Sequence, residues 1–208
     1  WEGKKYIGLT LDWDYDGRRA HISMPGCVAD ALTQFNHTPP ARRQDSPYPH
    51  TPPKCGEKKQ YAKDPDTSPP LDKEGKRFIQ QVIGKFLFYG RAVDPTILVA
   101  LSALGSEQAK PTEETMKKTR HLLDYLASQE EAILTYKASD TVLVVHSDAG
   151  YLNESNARSR AGGHHFLSSN DKIPANNGAV HTVAQIIKAV VSSAAEAELG
   201  AMKARSRE

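Results

Sequence analysis

Val142-Leu143-Val144-Val145-His146-Ser147-Asp148 is the most apolar strand-like run in the chain, and it ends on an acid. On a strand, alternation puts Val142, Val144, His146 and Asp148 on one face. An Asp at the carboxyl end of a buried strand is a common metal-site position, because the sheet holds it rigidly. The competing role is a strand-ending Asp that satisfies a turn. A second acid, Glu198, lies fifty positions later in Ser192-Ser193-Ala194-Ala195-Glu196-Ala197-Glu198-Leu199. On a helix its neighbours three and four residues away are Ala194, Ala195, Ala201 and Met202, which predicts that it faces the sheet. A carboxylate among apolar side chains is costly unless something pairs with it, and a metal ion is one such partner. Glu196 has a simpler explanation, since Ser193 three residues before it completes the capping-box pattern S-x-x-E.

Outward from this pair, residues 139–208 read β-β-β-α. The strands are Val142 to Asp148, roughly Gly162 to Leu167, and Ala179 to Val183, followed by a helix from Ala194, with Asn177-Gly178 as a hairpin turn signal before the third strand. Residues 73–138 read as helical. Phe78, Val82, Phe86 and Tyr89 fall at helical spacing, Pro95 to Leu104 is short and apolar, and Thr112 caps a helix whose first turn holds Glu113 and Glu114. Leu134-Thr135-Tyr136 is a candidate short strand. Residues 36–72 hold nine of the thirteen prolines and read as a linker or long surface loop outside any core. Residues 1–35 read as a β-hairpin from Lys4 to Met24 turning at Asp16-Gly17, then a helix opened by Pro25 and carrying Val28, Ala29, Leu32 and Phe35.

The 208 residues suit one large domain or two small ones, and the 38% hydrophobic and 25% charged content supports a core. A net charge of +2 permits nucleic-acid contact without arguing for it. Cys27 and Cys55 stand apart, with no C-x-x-C spacing, which predicts a reduced, intracellular protein without a structural zinc site. No apolar run approaches the roughly 18 residues that a membrane span needs, and no signal-peptide pattern opens the chain.

Two carboxylates meeting at a strand end suit a divalent cation such as Mg²⁺. Two-metal phosphodiester hydrolysis, with ions about 3.5–4 Å apart, needs more acids, so the pair predicts a partial site with weak metal binding. Arg158, Ser159 and Arg160, with Gly162 and Gly163, fall between the first two strands of the last section. They are candidates for a nucleic-acid phosphate contact, or else a solvated charged turn. Lys117, Lys118 and Arg120 read as a solvated helix face, and His146, His164, His165 and His181 as ordinary strand histidines.

In this order the segments resemble the pol polyprotein of copia-type retrotransposons, from the end of the reverse transcriptase into the RNase H domain. Tyr6-Ile7-Gly8-Leu9-Thr10-Leu11 with Asp16-Gly17 is similar to the family's primer-grip hairpin at the palm–thumb border. Phe78 to Tyr89, then Arg91 and Asp94-Pro95, resembles its "GxLxYLxxxTRPDI" segment, and Lys110-Pro111-Thr112-Glu113 leading to Leu126 resembles "KPTxxHWxxxKRxLRYL". His146-Ser147-Asp148-Ala149 resembles "YSDADWAG", Arg158-Ser159-Arg160-Ala161-Gly162 resembles "RKSTSGY", and Ser192 to Leu199 is similar to "SSTEAEY". Gly150 and Tyr151 stand where Asp-Trp is usual, and Leu199 where Tyr is common.

The resemblance implies an α/β fold: a β-hairpin and helical thumb/connection region, then the first three strands and first helix of a truncated RNase H-like sheet. The strand ending at Asp148 is then expected at an unpaired edge. It further implies that Asp148 and Glu198 are the first two acids of an RNase H site that takes Mg²⁺. The expected partners are an RNA–DNA hybrid or primer–template and the remainder of the polyprotein. A non-catalytic nucleic-acid-binding module and an inert degenerate element stand as alternatives.

Overall fold

In the computed structural model, which describes residues 3–49, 66–154 and 158–205, the chain opens on a meander of β1 (Lys5–Tyr6), β2 (Leu9–Asp14) and β3 (Arg19–Ser23). The single hairpin expected over Lys4 to Met24 is thus two. The first turns at Ile7-Gly8, with Tyr6 opposite Leu9 and both loop residues in the left-handed region, φ 48° and 80°. That is the type I′ geometry that matches strand twist, and it places a β-branched residue where one is rarely found. The second turns after Asp14, whose Oδ1 accepts from the Gly17 amide at 2.7 Å, and its left-handed residue is Arg18 (φ 52°), not Gly17.

Helix α1 (Cys27–Gln34) follows Pro25 and a left-handed Gly26. Cys27 is free, and burial pushes its thiol pKa up; Cys55 lies outside the described residues. Helix α2 (Lys73–Ala92) starts earlier than its apolar spacing suggests, because Asp72 Oδ1 accepts from the Gly75 amide at 2.8 Å and caps a polar first turn. A 3₁₀ turn (Pro95–Ile97) leads into α3 (Leu98–Glu107), and α4 (Glu113–Ser128) is capped by Thr112 in a reciprocal box with Thr115. Ile79, Val82, Ile83, Phe86 and Tyr89 recur at helical spacing and meet Ile97, Leu101, Leu104, Leu122, Leu123 and Leu126 in one core. Lys118, expected on a solvated face, turns inward to Glu107 at 3.0 Å.

The described part of the Pro-rich stretch is fastened along α4. Gln44 Nε2 meets His121 Nδ1 at 2.8 Å, the Gln44 amide donates to Ser128 Oγ, and Tyr48 and Leu71 pack against the helix core. At the other end of the stretch, Asp66 accepts from Ser68 and from the Thr112 hydroxyl, tying it to the start of α4.

Strand β4 (Leu134–Lys137) pairs with β3, Arg19 opposite Lys137, giving an antiparallel sheet in the order β1-β2-β3-β4. The second antiparallel sheet has the order β5 (Val142–Glu154), β6 (Arg158–Ser168), β7 (Ala179–Ile186), and α5 (Ala194–Arg205) packs on β5 and β6. The architecture is mixed α/β. Asn177-Gly178 does not form the expected tight hairpin. It ends a longer connection and clamps the two sheets together: Asn177 Nδ2 donates to Lys137 O at 2.9 Å and to Leu167 O at 2.7 Å, and Asn177 Oδ1 accepts from the Lys137 amide. Gly178 lies so close to β4 that a Cβ there would stand 2.7 Å from Thr135 O. Among the described residues no helix is long and apolar enough to cross a membrane.

Two outcomes are expected. Ile7 is 67% exposed, so Ile7→Asn removes left-handed strain without opening the core and raises stability by about 1 kcal/mol in chemical denaturation; a loss of stability would refute the strain. Hydrogen bonds from the Ser68 hydroxyl, the Thr112 hydroxyl and the Ser68 amide hold Asp66 down to about 2. A folded-state pKa below the ordinary 3.8 stabilises above that value, and the contribution is lost as pH falls towards about 2. Acid unfolding followed by circular dichroism should therefore lose part of its slope in this window in Asp66→Asn. Superimposable acid limbs would contradict the assignment.

Candidate functional site

Strand β5 is an edge of its sheet among the described residues, pairing with β6 alone. On an antiparallel edge every second amide faces away from the neighbour and needs another acceptor. The Ala149 amide finds two. It donates to Asp148 Oδ1 at 2.8 Å and to Glu198 Oε1 at 3.3 Å, so acids fifty residues apart in sequence meet at one N–H. Asp148 pairs in register with Gly162 of β6, and Glu198 is delivered by α5.

Small residues allow that delivery. Ala197 and Ala201 of α5 are buried against Ala161, Val183 and Ile187, with Ala149, Tyr151 and Val191 at the margin. This seam is one residue wide on each turn, and it corrects the expectation that Glu198 lies under the helix among apolar side chains. Ala194, Ala195 and Glu198 are exposed, Met202 is 55% exposed, and Glu198 sits one residue round from the Ala197–Ala201 seam. From there it reaches the sheet edge. Asp148 is exposed as well. The arrangement is two water-accessible carboxylates, not a buried acid pair.

The start of α5 is built separately. Ser193 Oγ accepts from the Glu196 amide at 3.1 Å, as a capping serine should. The Glu196 carboxylate reaches one residue further back than the capping box requires, accepting from the Ser192 amide at 2.7 Å and the Ser192 hydroxyl at 2.8 Å. Those bonds hold its carboxyl below the usual carboxylate range. Tyr151 Oη donates to Ser192 O at 2.9 Å and so anchors the helix start to β5.

Arg158, Ser159 and Arg160 belong to β6 and do not form the solvent-facing turn expected between the strands. Ser159 is 1% exposed, and its hydroxyl accepts from the Leu152 amide at 3.1 Å. Arg160 is 7% exposed; its Nε donates to Glu154 Oε1 at 2.7 Å and its Nη1 to Ser102 Oγ of α3 at 2.9 Å. A buried guanidinium requires such a carboxylate, so β5 continues past Asp148 through an irregular pairing between Gly150 and Glu154, with Leu152 left-handed at φ 52°. Of the three, only Arg158 is part-exposed. The signal for Glu154 was faint in the sequence, because its partner is six positions away across a bulge.

The histidines pack as aromatic rings: His146 and His164 flank the buried Phe166 at 5.1 and 4.9 Å, and His165 meets His181 at 5.1 Å. Among the described residues no group of three or more His, Cys, Asp or Glu is placed to share a metal ion. Two exposed carboxylates do fit a magnesium-type ion that keeps most of its waters. Comparison with protein-family models, with curated proteins and with solved structures finds no match for the chain.

The Arg160 ion pair gives a sharp expectation. Glu154→Ala strands a buried charge and should cost about 3–5 kcal/mol, measured as a fall in the denaturation midpoint. Arg160→Met, which removes the charge along with its need for a partner, should cost less. The reverse order would mean that the pair is not the anchor of this region.

Proposed function

We propose that the chain spans the end of the reverse transcriptase and the start of the RNase H domain of a copia-type retrotransposon pol polyprotein, with an RNA–DNA hybrid and the rest of that polyprotein as partners. In this reading Asp148 and Glu198 form part of the Mg²⁺ site that acts on the RNA strand. The single supporting observation is their meeting at the Ala149 amide, which separates Glu198 from the nearby Glu196. The amide takes one oxygen of each carboxylate, and both acids are exposed to water. A bound divalent ion would supply charge stabilisation and an activated water. Two acids hold one such ion weakly and do not hold two, so the pair by itself supports binding more than catalysis. The burial of Ser159 and Arg160 removes two of the candidate phosphate contacts and weighs against a purely electrostatic nucleic-acid-binding module.

Mn²⁺ titration followed by electron paramagnetic resonance tests the pair. Weak binding is expected, with Kd on the order of 1 mM, lost in Asp148→Asn and in Glu198→Gln and retained in Glu196→Gln. Loss in Glu196→Gln alone would overturn the assignment. With Mg²⁺ or Mn²⁺ the chain should leave an RNA–DNA hybrid uncut, and cleavage that vanishes in Asp148→Asn would refute the partial site.

A further inference from the structure

At Asn177-Gly178 a chemically reactive dipeptide coincides with the clamp between the two sheets. It is the one Asn-Gly pair in the sequence; the other asparagines precede His, Glu, Ala, Asp or Asn. An asparagine followed by glycine is open to attack by its neighbour's amide nitrogen, because glycine has no side chain to shield that nitrogen or restrict the backbone. Glycine is required here for packing, since a Cβ at Gly178 would stand 2.7 Å from Thr135 O and 2.8 Å from the Tyr136 ring. The close approach that demands glycine therefore also sets the reactive neighbour beside Asn177.

In the folded chain the Asn177 carboxamide is fully engaged. Its two Nδ2 hydrogens go to Lys137 O at 2.9 Å and Leu167 O at 2.7 Å. Its Oδ1 accepts from the Lys137 amide at 2.7 Å and from the Gly178 amide at 2.9 Å. The last of these bonds restrains the nucleophile. A hydrogen bond to a carbonyl oxygen runs near the carbonyl plane, whereas attack on the carbon comes through its face. A nitrogen donating its hydrogen also keeps the proton it has to lose.

We infer that Asn177 is a deamidation site held unreactive by its own clamp, and that its conversion loosens the junction of the two sheets at β4. The reaction needs only water. When the connection 169–178 opens, the Gly178 nitrogen bonds to Asn177 Cγ, and its proton leaves with Nδ2 as ammonia. Water then opens the resulting cyclic imide at either carbonyl, giving aspartate or isoaspartate. Aspartate puts an oxygen where Nδ2 donates, so acceptor faces acceptor at Lys137 O and Leu167 O. Isoaspartate lengthens the backbone by a methylene where Gly178 has no room. Neither product remakes the clamp, so the opening becomes irreversible.

Peptide mass spectrometry of the whole chain, aged in mildly alkaline buffer with and without urea, tests this. In urea, Asn177 should convert fastest of all the asparagines. In the folded chain it should convert at least about tenfold more slowly than in urea, and no faster than the exposed Asn170 and Asn176. Asn177→Asp, which makes one product directly, should lower thermal melting by about 5 °C or more, while Asn176→Asp, one position away and exposed, should leave it unchanged. Conversion of Asn177 as fast in the folded chain as in urea would overturn the inference. So would slower conversion than the other asparagines in urea, or melting of Asn177→Asp equal to that of the unaltered chain. If Asn177→Asp does not fold, the ratio of folded to urea rates decides by itself.

Discussion

A guanidinium taken out of water must find a carboxylate, and much of the second half of this chain is arranged to satisfy that demand at Arg160. Glu154 meets it at 2.7 Å, which is possible only because β5 runs on past Asp148 and is thrown out of regular register before Glu154. The same guanidinium reaches Ser102 of α3, so the charge that organises the β5–β6 sheet also ties it to the helical core. Buried ion pairs contribute little net stability compared with apolar packing, but losing one partner is severe. Here the pair serves chiefly to set one geometry: where β5 bends, where β6 begins, and how the sheet rests on α3.

The second junction is made by a neutral side chain. Asn177 bonds Lys137 of β4 and Leu167 of β6, and Gly178 brings the backbone against Thr135, closer than any side chain would allow. Tyr136 Oη completes the contact by donating to Ala179 O at 2.7 Å. With sheets held at these two points, the edge of β5 is left facing outward. Its Ala149 amide is then taken by Asp148 and Glu198, which occupy the edge where another strand would otherwise bond.

Much of the local structure was legible residue by residue. The spacing of Val82, Phe86 and Tyr89 gave α2 because a 3.6-residue period survives any tertiary context that buries one face. Thr112 marked the start of α4 because a capping hydroxyl acts within a few residues. The sequence missed the turn at Ile7-Gly8, since isoleucine is among the last residues to suggest a left-handed conformation. Asn177-Gly178 misled for the opposite reason: a strong local turn signal was used instead for a long-range clamp. Asp148 and Glu198 could be picked out as unusual acids, but the side of α5 that faces the sheet could not, because a helix bearing mostly alanine on several sides has no dominant apolar stripe.

Within its own length, the sequence determined where the helices and most of the strands lie, how α4 is capped, and that Glu196 rather than Glu198 belongs to the start of α5. These depend on neighbours within about one turn of helix or on alternation along a strand, and such interactions are the same wherever the segment ends up. Tertiary structure alone decided the rest. It turned Ser159 and Arg160 inward, fastened the proline-rich stretch to α4, recruited β4 to the first sheet, and brought two distant carboxylates to one amide. Each of those outcomes depends on satisfying a polar group or a charge with a partner far along the chain, and nothing near Arg160, Asn177 or Ala149 in sequence names that partner.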